Sequence, residues 1–244
     1  MRRFLQLEMM RAIRDPYFLV LAVAAPIGFY LLFTALFGAQ GQSAEGLPTQ
    51  VELMVAMAAF GAMWAVLSST APRIAREREI GWLRQLRVTP LSGTSVIAAK
   101  GITSMALALP SMGLVCITAI AVHGVRLPVG EWLGILGTMW LGTLPFALLG
   151  MAIGYLTSAD TAFGVTMGIY LVMAALGGLW MPVQILPDVL QRIAHVLPSN
   201  RLADLGWKIA AGQWPTVSSV VVLAAWAMGF GLLSLLAYRR SEQH

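Results

Sequence analysis

The charged side chains of this sequence are concentrated in residues 72–100, and their spacing suits binding to another molecule. The segment contains six of the sixteen lysines and arginines but only two acids, Glu77 and Glu79. Apolar residues recur at every third position after these acids, which predicts a short amphipathic helix that ends before Pro90. Such a helix can place its apolar side chains in a groove of a partner, with its charges around the rim. A basic helix lying on the membrane surface would have the same composition, so both interpretations stay open.

The other residues that could take part in chemistry form no recognisable catalytic pattern. The three histidines, His123, His195 and His244, lie outside the apolar segments, and the single cysteine, Cys116, lies inside one. The sequence contains no G-x-S-x-G elbow, no H-E-x-x-H pair and no G-x-x-x-x-G-K-[ST] phosphate loop. We therefore expect no catalytic residue, no metal site and no cofactor in this chain, and no ATP hydrolysis by the chain itself.

Six apolar segments are long enough to cross a bilayer as helices. Of the residues, 58% are hydrophobic and 11% are charged, whereas soluble domains carry about 25% charged residues. A spanning helix needs about 20 mostly apolar residues, because backbone groups in hydrocarbon must be hydrogen-bonded within the segment. We predict an all-α membrane protein with one transmembrane domain over residues 1–244. Its spans are predicted at about 17–37, 51–71, 102–122, 132–156, 162–181 and 216–238.

None of the six segments carries an aspartate, glutamate, lysine or arginine deep inside it. Glu52, Lys100, Glu131 and Asp160 all lie at or near segment ends. Buried carboxylates and bases are usual in proton relays and ion-coupled carriers. The sequence therefore argues against ion-coupled transport by this chain.

Two pairs of glycines are spaced four residues apart inside the apolar segments. They are Gly150 with Gly154, and Gly164 with Gly168. Glycines at this spacing lie on one helix face and let a second helix approach closely. We expect both pairs to pack against other helices of the same chain.

The distribution of basic residues predicts the orientation in the membrane. If both termini are cytoplasmic, twelve of the sixteen lysines and arginines lie on the inner side and four on the outer side. Basic residues in short loops favour the cytoplasmic side. We therefore predict cytoplasmic N- and C-termini and a cytoplasmic helix between the second and third spans.

The connection between the last two spans, residues 182–215, is predicted to contain two amphipathic helices. Apolar residues recur at helical spacing over 189–197, where Pro198 ends the pattern, and again over 201–211. Helices with one apolar face beside the ends of spans suit an interfacial or re-entrant position. A specialised role and a plain interfacial hairpin are both compatible with this pattern.

Two sequence runs resemble the ABC-2 type transporter permeases. The first is EREIGWLRQLRVTPLS at residues 77–92, and the second is GGLWMP at residues 177–182, followed by Pro187 and Pro198. Both stand at matching places in a six-span chain, so the resemblance covers nearly the whole sequence. It implies a dimer of permease halves, as two copies or with a paralogue, each bound to a separate ATP-binding cassette subunit that holds ATP and magnesium.

The resemblance also implies roles for individual residues. The first run would be the coupling helix, which sits in a cleft of the ATPase subunit, and the second would lie near the outer gate. The implied coupling residues are Glu77, Glu79, Gly81, Leu83, Leu86, Arg87 and Pro90. The implied outer gate residues are Gly178, Trp180, Pro182 and Pro187.

The predicted function is that of the permease subunit of a bacterial ABC exporter in the plasma membrane. The compact form of the chain resembles exporters of drugs, antibiotics or peptides. A pathway without fixed charges suits an amphiphilic, hydrophobic or lipid-like substrate, and the basic charge is not interpreted as nucleic-acid binding. The alternatives are a secondary multidrug carrier that works alone and a membrane sensor or scaffold that transports nothing.

Overall fold

The computed structural model describes residues 20–38, 46–80, 93–181, 183 and 186–241, without the side chains of Leu21 and of residues 93–99. The described chain is built of helices, as predicted. A π-helical turn, Val20–Ala24, precedes them. The α-helices are α1 (Ala25–Phe37), α2 (Thr49–Glu79), α3 (Gly93–His123), α4 (Val129–Gly142), α5 (Leu144–Leu156), α6 (Ala159–Leu176), α7 (Asp188–Val196), α8 (Pro198–Ala210) and α9 (Val217–Ser241).

Helix α2 is the centre of the bundle. It packs against α1, α3, α5, α6 and α8, and 83% of its most apolar stretch is buried. Much of its buried surface is alanine and methionine, and small or flexible side chains let several helices approach one axis closely. Only 22% of the corresponding stretches of α6 and α9 is buried, so these two helices form the periphery of the chain.

Within the described residues, five helical stretches are long and apolar enough to cross a membrane. They are Thr49–Glu79, Lys100–His123, Val129–Leu156, Ala159–Leu176 and Val217–Arg240. The stretch Ala22–Phe37 is apolar but shorter, and the predicted first span begins at residue 17, outside the described residues. The six-span count and the orientation therefore stay predictions.

Helix α2 continues beyond the predicted end of the second span, and this part of the prediction is wrong. We expected the span to end at residue 71 and a separate helix to follow, but Pro72 lies inside α2, which ends at Glu79. A proline removes one backbone hydrogen bond, which the rest of a long packed helix can tolerate. The predicted helix beyond Ile80 falls in residues 81–92, outside the described part of the chain.

The predicted fourth span, 132–156, is two helices that meet at Thr143. Pro145 cannot donate to the carbonyl four residues before it, so the helix is interrupted there. The backbone N–H groups of Phe146 and Ala147 instead bond the carbonyl of Thr143, at 3.0 and 3.2 Å. The break lies inside one membrane-length stretch, Val129–Leu156.

The two glycine pairs have different surroundings. A Cβ added at Gly154 would lie 2.7 Å from the carbonyl oxygen of Ala71, and one at Gly150 would collide with the side chain of Thr70. This pair therefore packs α5 against α2, as expected. Among the described residues, a Cβ at Gly164 or Gly168 would meet nothing within 4 Å, so this pair makes no close packing contact with the described part of the chain.

The two amphipathic helices of the last connection are confirmed as α7 and α8. Pro198 ends the first and also begins the second, because a proline at the first position of a helix loses no backbone bond. Trp207 Nε1 donates to the backbone carbonyl of Glu52 at 3.0 Å, which places α8 beside the start of α2. Val189 and Val196 on α7 are exposed, as suits a helix lying at a membrane interface.

The two ends of the bundle are named by the residues that they hold. We call the end that holds Glu79 and Ala159 the charged end. We call the end that holds residues 177–181 with α7 and α8 the opposite end.

Candidate functional site

The last turn of α2 carries four consecutive charged residues, and three of them contact three other parts of the fold. These three are Glu77, Arg78 and Glu79, which we call the clamp. One helical turn points successive side chains about 100° apart, so neighbouring residues of a central helix can contact different neighbours. The clamp therefore joins the end of α2 to α3, α5 and α6.

Arg78 closes the end of α5. Its guanidinium donates to the backbone carbonyls of Tyr155 and Thr157, the second at 2.7 Å. The last carbonyls of a helix lack partners within the helix and carry the negative end of its dipole. A guanidinium suits this position because its planar fork serves two acceptors with one charge. Arg78 thus holds α5 against α2.

Glu79 caps the start of α6. Its Oε1 accepts a hydrogen bond of 2.7 Å from the backbone N–H of Ala159, the first residue of that helix. Ser158 stands at the N-cap position, but its hydroxyl bonds that of Thr161 instead of a backbone N–H. A carboxylate beside the positive end of a helix dipole is favourable. Glu79 of α2 therefore caps α6 in place of Ser158.

Glu77 joins the end of α2 to Lys100 in the first half of α3. Its Oε2 forms an ion pair with Nζ of Lys100, and its Oε1 lies 3.4 Å from Nε of Arg73, one turn earlier. The Glu77 and Lys100 side chains are each 19% exposed. Partial burial strengthens such a pair relative to an exposed one. The pair thus fixes α3 at the charged end.

The described structure includes two of the predicted coupling residues, and the other five lie outside it. Glu77 and Glu79 were predicted to contact an ATPase subunit, and within this chain their carboxylates bond Lys100 and Ala159. The other predicted coupling residues, Gly81, Leu83, Leu86, Arg87 and Pro90, lie outside the described residues. Their roles stay predictions.

At the opposite end, α6 stops at a pair of glycines. The N–H of Leu179 bonds the carbonyl of Ala174 at 3.1 Å, and the N–H of Gly178 bonds that of Ala175 at 3.4 Å. This is the Schellman pattern, which needs a left-handed residue after the helix, and Gly178 supplies it with φ of 74°. The predicted fifth span, 162–181, is therefore too long, because the helix ends at Leu176.

Two polar residues of α8 complete the cap of α6. Ser199 Oγ donates to the carbonyl of Met173 at 2.7 Å, and Asn200 Nδ2 donates to that of Gly177 at 3.1 Å. Both side chains are buried. Gly177 packs directly against Ser199, and a Cβ there would collide with it. The start of α8 is therefore bonded to the end of α6.

The predicted gate residues lie around this cap. Gly178 forms the turn after α6, and Pro187 is the N-cap residue of α7. Trp180 packs on the rings of Phe29 and Phe60, with ring centroids 6.2 and 5.7 Å apart. Pro182 lies outside the described residues. Three of the four residues are thus near the end of α6, and a gating role stays a prediction.

An aromatic cluster extends from Trp180 along the contact between α2 and α6. Phe60 stacks on Tyr170 with centroids 4.7 Å apart, and Trp64 lies 5.0 Å from Tyr170. In the described part of the chain, no acceptor bonds Trp64 Nε1, Tyr170 Oη or Trp180 Nε1, although all three atoms are buried. An unpartnered buried donor is costly. The cluster therefore has three hydrogen-bond donors available to an acceptor that is not part of it.

Sequence reasoning did not identify several of these residues. Arg78 stood in the run that carried the family resemblance, and Lys100 stood at the edge of the charged segment, so charge could have indicated both. Ser199 and Asn200 follow Pro198, where polar residues are usual in a first helical turn. Nothing in the sequence indicated that Trp64 and Tyr170 would meet.

Comparisons with known proteins agree with this architecture. The family described as ABC-2 family transporter protein matches residues 42–236 of the chain. The protein named "Putative transport permease YvfS" of Bacillus subtilis (strain 168) is 29% identical over 237 residues, which cover 96% of this chain and 95% of that protein. The matched family region contains the clamp, α6 and the residues that cap both ends of α6.

Proposed function

Because the chain belongs to the ABC-2 transporter family, we propose that it is the permease subunit of an exporter driven by a separate ATP-binding cassette subunit. Family membership, the transport permease relative and the apolar helices make it a membrane transporter protein. The proposal that a separate ATPase subunit drives this chain rests on the clamp. It fastens the chain that leads into residues 81–92 directly to α3, α5 and α6.

This geometry suits an element that receives force from outside the membrane. A partner that displaced residues 81–92 would pull on the end of α2, and the clamp would pass the displacement to three other helices. Transport needs only such a coupling of conformational states to ATP binding in the partner. The ATPase subunit would hold ATP and magnesium, and this chain would supply the path.

In this proposal the chain has six spans in a bacterial plasma membrane, with the charged end in the cytoplasm. The basic residues of the segment 72–100 support this orientation by the positive-inside rule. The opposite end, with the interfacial helix α7, then lies outside. The transport direction proposed is outward.

A second copy of the chain, or a paralogue, would complete the pathway. Gly164 and Gly168 leave an open face on α6, whose apolar stretch is only 22% buried within the chain. Helices with such a face associate closely in membranes. We place α6 at the contact between the two permease copies.

The aromatic cluster supports an amphiphilic substrate. Its rings offer apolar surface, and its three donors could bond an ether, ester or carbonyl oxygen of a passing molecule. The long helical stretches carry few charges. Drugs, peptides and lipid-like molecules fit this chemistry better than ions do.

The test is purification of the tagged chain with its native partners, followed by reconstitution into liposomes. We expect a stoichiometric ATPase subunit and uptake of daunorubicin, a fluorescent amphiphilic drug, into inside-out liposomes only with ATP. Uptake by the lone chain driven by an ion gradient would establish a secondary carrier instead. ATPase activity that is unchanged by daunorubicin and by a fluorescent phospholipid, without uptake of either, would favour a sensor or scaffold.

Replacing Tyr170 by phenylalanine tests the substrate path. The hydroxyl has no partner in the described chain and the side chain is 1% exposed, so its removal should leave the melting temperature unchanged or raise it. If it bonds the substrate, the concentration of daunorubicin for half-maximal ATPase stimulation should rise by about fivefold. ATPase titration and thermal melting measure the two effects.

Tyr30 offers a matched control for this substitution. Its hydroxyl is equally buried and without a partner among the described residues, but its ring packs on His123, away from the cluster. Tyr30→Phe should leave the daunorubicin response unchanged. Equal shifts in both variants would remove the cluster from the path.

A further inference from the structure

Helix α6 is held at each end by another helix. At the charged end, its first N–H is bonded by Glu79 of α2. At the opposite end, the carbonyls of Met173 and Gly177 are bonded by Ser199 and Asn200 of α8. Backbone groups at each terminus of α6 are thus bonded by side chains that belong to the two ends of the bundle.

The length of α6 matches the distance that a signal across the membrane must cover. Its 18 residues extend about 27 Å at 1.5 Å per residue, close to the thickness of the hydrocarbon core. An α-helix resists stretching and bending because its backbone hydrogen bonds run along the axis. A displacement at Ala159 would therefore reach Gly177 nearly undiminished.

Along its length, α6 is less covered by the rest of the described chain than α2 is. Its most apolar stretch is 22% buried within the chain, against 83% for α2. Its contact with α2 includes the aromatic cluster, in which Tyr170 stacks on Phe60 and lies tilted against Trp64. A helix that is bonded at both ends moves with the elements that hold it.

From these contacts we propose that α6 transmits the conformational change from the clamp to the opposite end, with Glu79, Ser199 and Asn200 as positioning residues. This inference rests on the proposed function and adds the route of coupling. Glu79 then acts within the chain, on α6, and is not a contact of the ATPase subunit. Motion of α6 moves α8 through the buried Asn200, and with it the turn at Gly178.

The experiment follows one position just beyond α6 in the complete complex. Met181 is 45% exposed, so a cysteine there can be labelled, after the single cysteine is removed by Cys116→Ala. The purified complex with its ATPase subunit is placed in liposomes. The labelling rate with a membrane-impermeant maleimide is compared without nucleotide and with ATP and vanadate.

We expect Glu79→Ala to weaken the link while ATP hydrolysis continues. The ATP-dependent change in labelling should fall by about fivefold or more, as expected for the loss of a coupling hydrogen bond. The ATPase rate should stay within about twofold, because the partner contact is intact. Glu79→Gln keeps an acceptor for Ala159 and should retain most of the change.

Asp160→Asn is the matched control, because Asp160 lies in the same first turn of α6 but its side chain is exposed and does not contribute to the capping bond of Glu79. It should leave the labelling change intact. At the other end, Asn200→Ala should reduce the change as Glu79→Ala does. The double variant should lose no more of the labelling change than the more strongly affected single variant, since both substitutions cut one linkage in series.

Each result decides the matter. A full labelling change in Glu79→Ala, additive losses in the double variant, or loss of ATPase activity in Glu79→Ala would overturn the transmission by α6. If Glu79→Ala does not fold, Glu79→Gln and Asn200→Ala carry the same test. A wild-type complex that takes up neither daunorubicin nor the fluorescent phospholipid with ATP would instead contradict the proposed function, which separates the two failures.

Discussion

Arg78→Ala is expected to abolish ATP-driven transport and to lower the stability of the chain. The guanidinium serves the carbonyls of Tyr155 and Thr157, and alanine leaves both without their partner. Hydrogen bonds to a charged group contribute about 1.5–3 kcal/mol each, and partial exposure reduces the total to about 2 kcal/mol. The melting temperature in detergent should fall by roughly 4–8 °C. Transport should fall further, because α5 would no longer follow α2.

Two variants separate the bonds of Arg78 from its charge. Arg76→Ala removes an exposed positive charge from the same turn of α2 and should change the melting temperature little. Arg78→Lys keeps the charge, but an ammonium on a flexible stem does not reproduce the two-pronged contact, so it should recover only part of the stability. Equal melting temperatures in Arg76→Ala and Arg78→Ala would show that the two carbonyl bonds contribute nothing.

Gly154→Val is expected to prevent normal folding. A Cβ at Gly154 would already lie 2.7 Å from the carbonyl oxygen of Ala71 and from Cβ of Ile74. Valine adds two methyl groups at this contact, and α5 would have to move away from the central helix. Overpacking of this kind costs about 1–3 kcal/mol or more, since backbone atoms cannot rotate aside. The yield of monodisperse protein and its melting temperature measure the effect.

Gly168→Val is the corresponding control on α6. Nothing lies within 4 Å of a Cβ built there, so the fold should tolerate the valine within about 0.5 kcal/mol. If α6 contacts a second permease copy, the same variant should dissociate the dimer without lowering the melting temperature of the monomer. Similar folding losses in Gly154→Val and Gly168→Val would contradict the packing of α5 on α2.

The charged run at residues 77–79 shows how far sequence reasoning could reach at the site. Charge and apolar spacing identified the region, and the family match places it inside an ABC-2 transporter. The assignment of Glu77 and Glu79 to an external partner did not anticipate Lys100 and Ala159, which bond them within the chain. An unpaired charge in a sequence can be satisfied inside or outside the molecule, and composition does not distinguish the two.

The helix boundaries also show what sequence reasoning could predict and what it could not. Predicted ends at residues 71 and 181 followed hydropathy, whereas the observed ends at Glu79 and Leu176 follow hydrogen bonds. The clamp extends α2 because its charges find partners, and the Schellman turn at Gly178 stops α6 inside an apolar run. Local apolarity reports where a helix can be buried, and capping decides where it ends.

The sequence by itself determined that this is an all-helical membrane protein, because long apolar runs have one way to satisfy their backbone groups in lipid. It also determined the family, through residues 42–236. Only the tertiary structure decided which helix is central, which glycines face a neighbour, and that α6 is bonded at both ends by α2 and α8. Those facts depend on contacts between residues far apart in the chain, such as Glu79 with Ala159 and Gly177 with Asn200. Apolar surface packs without direction, so the hydrophobic pattern alone could not choose among these partners.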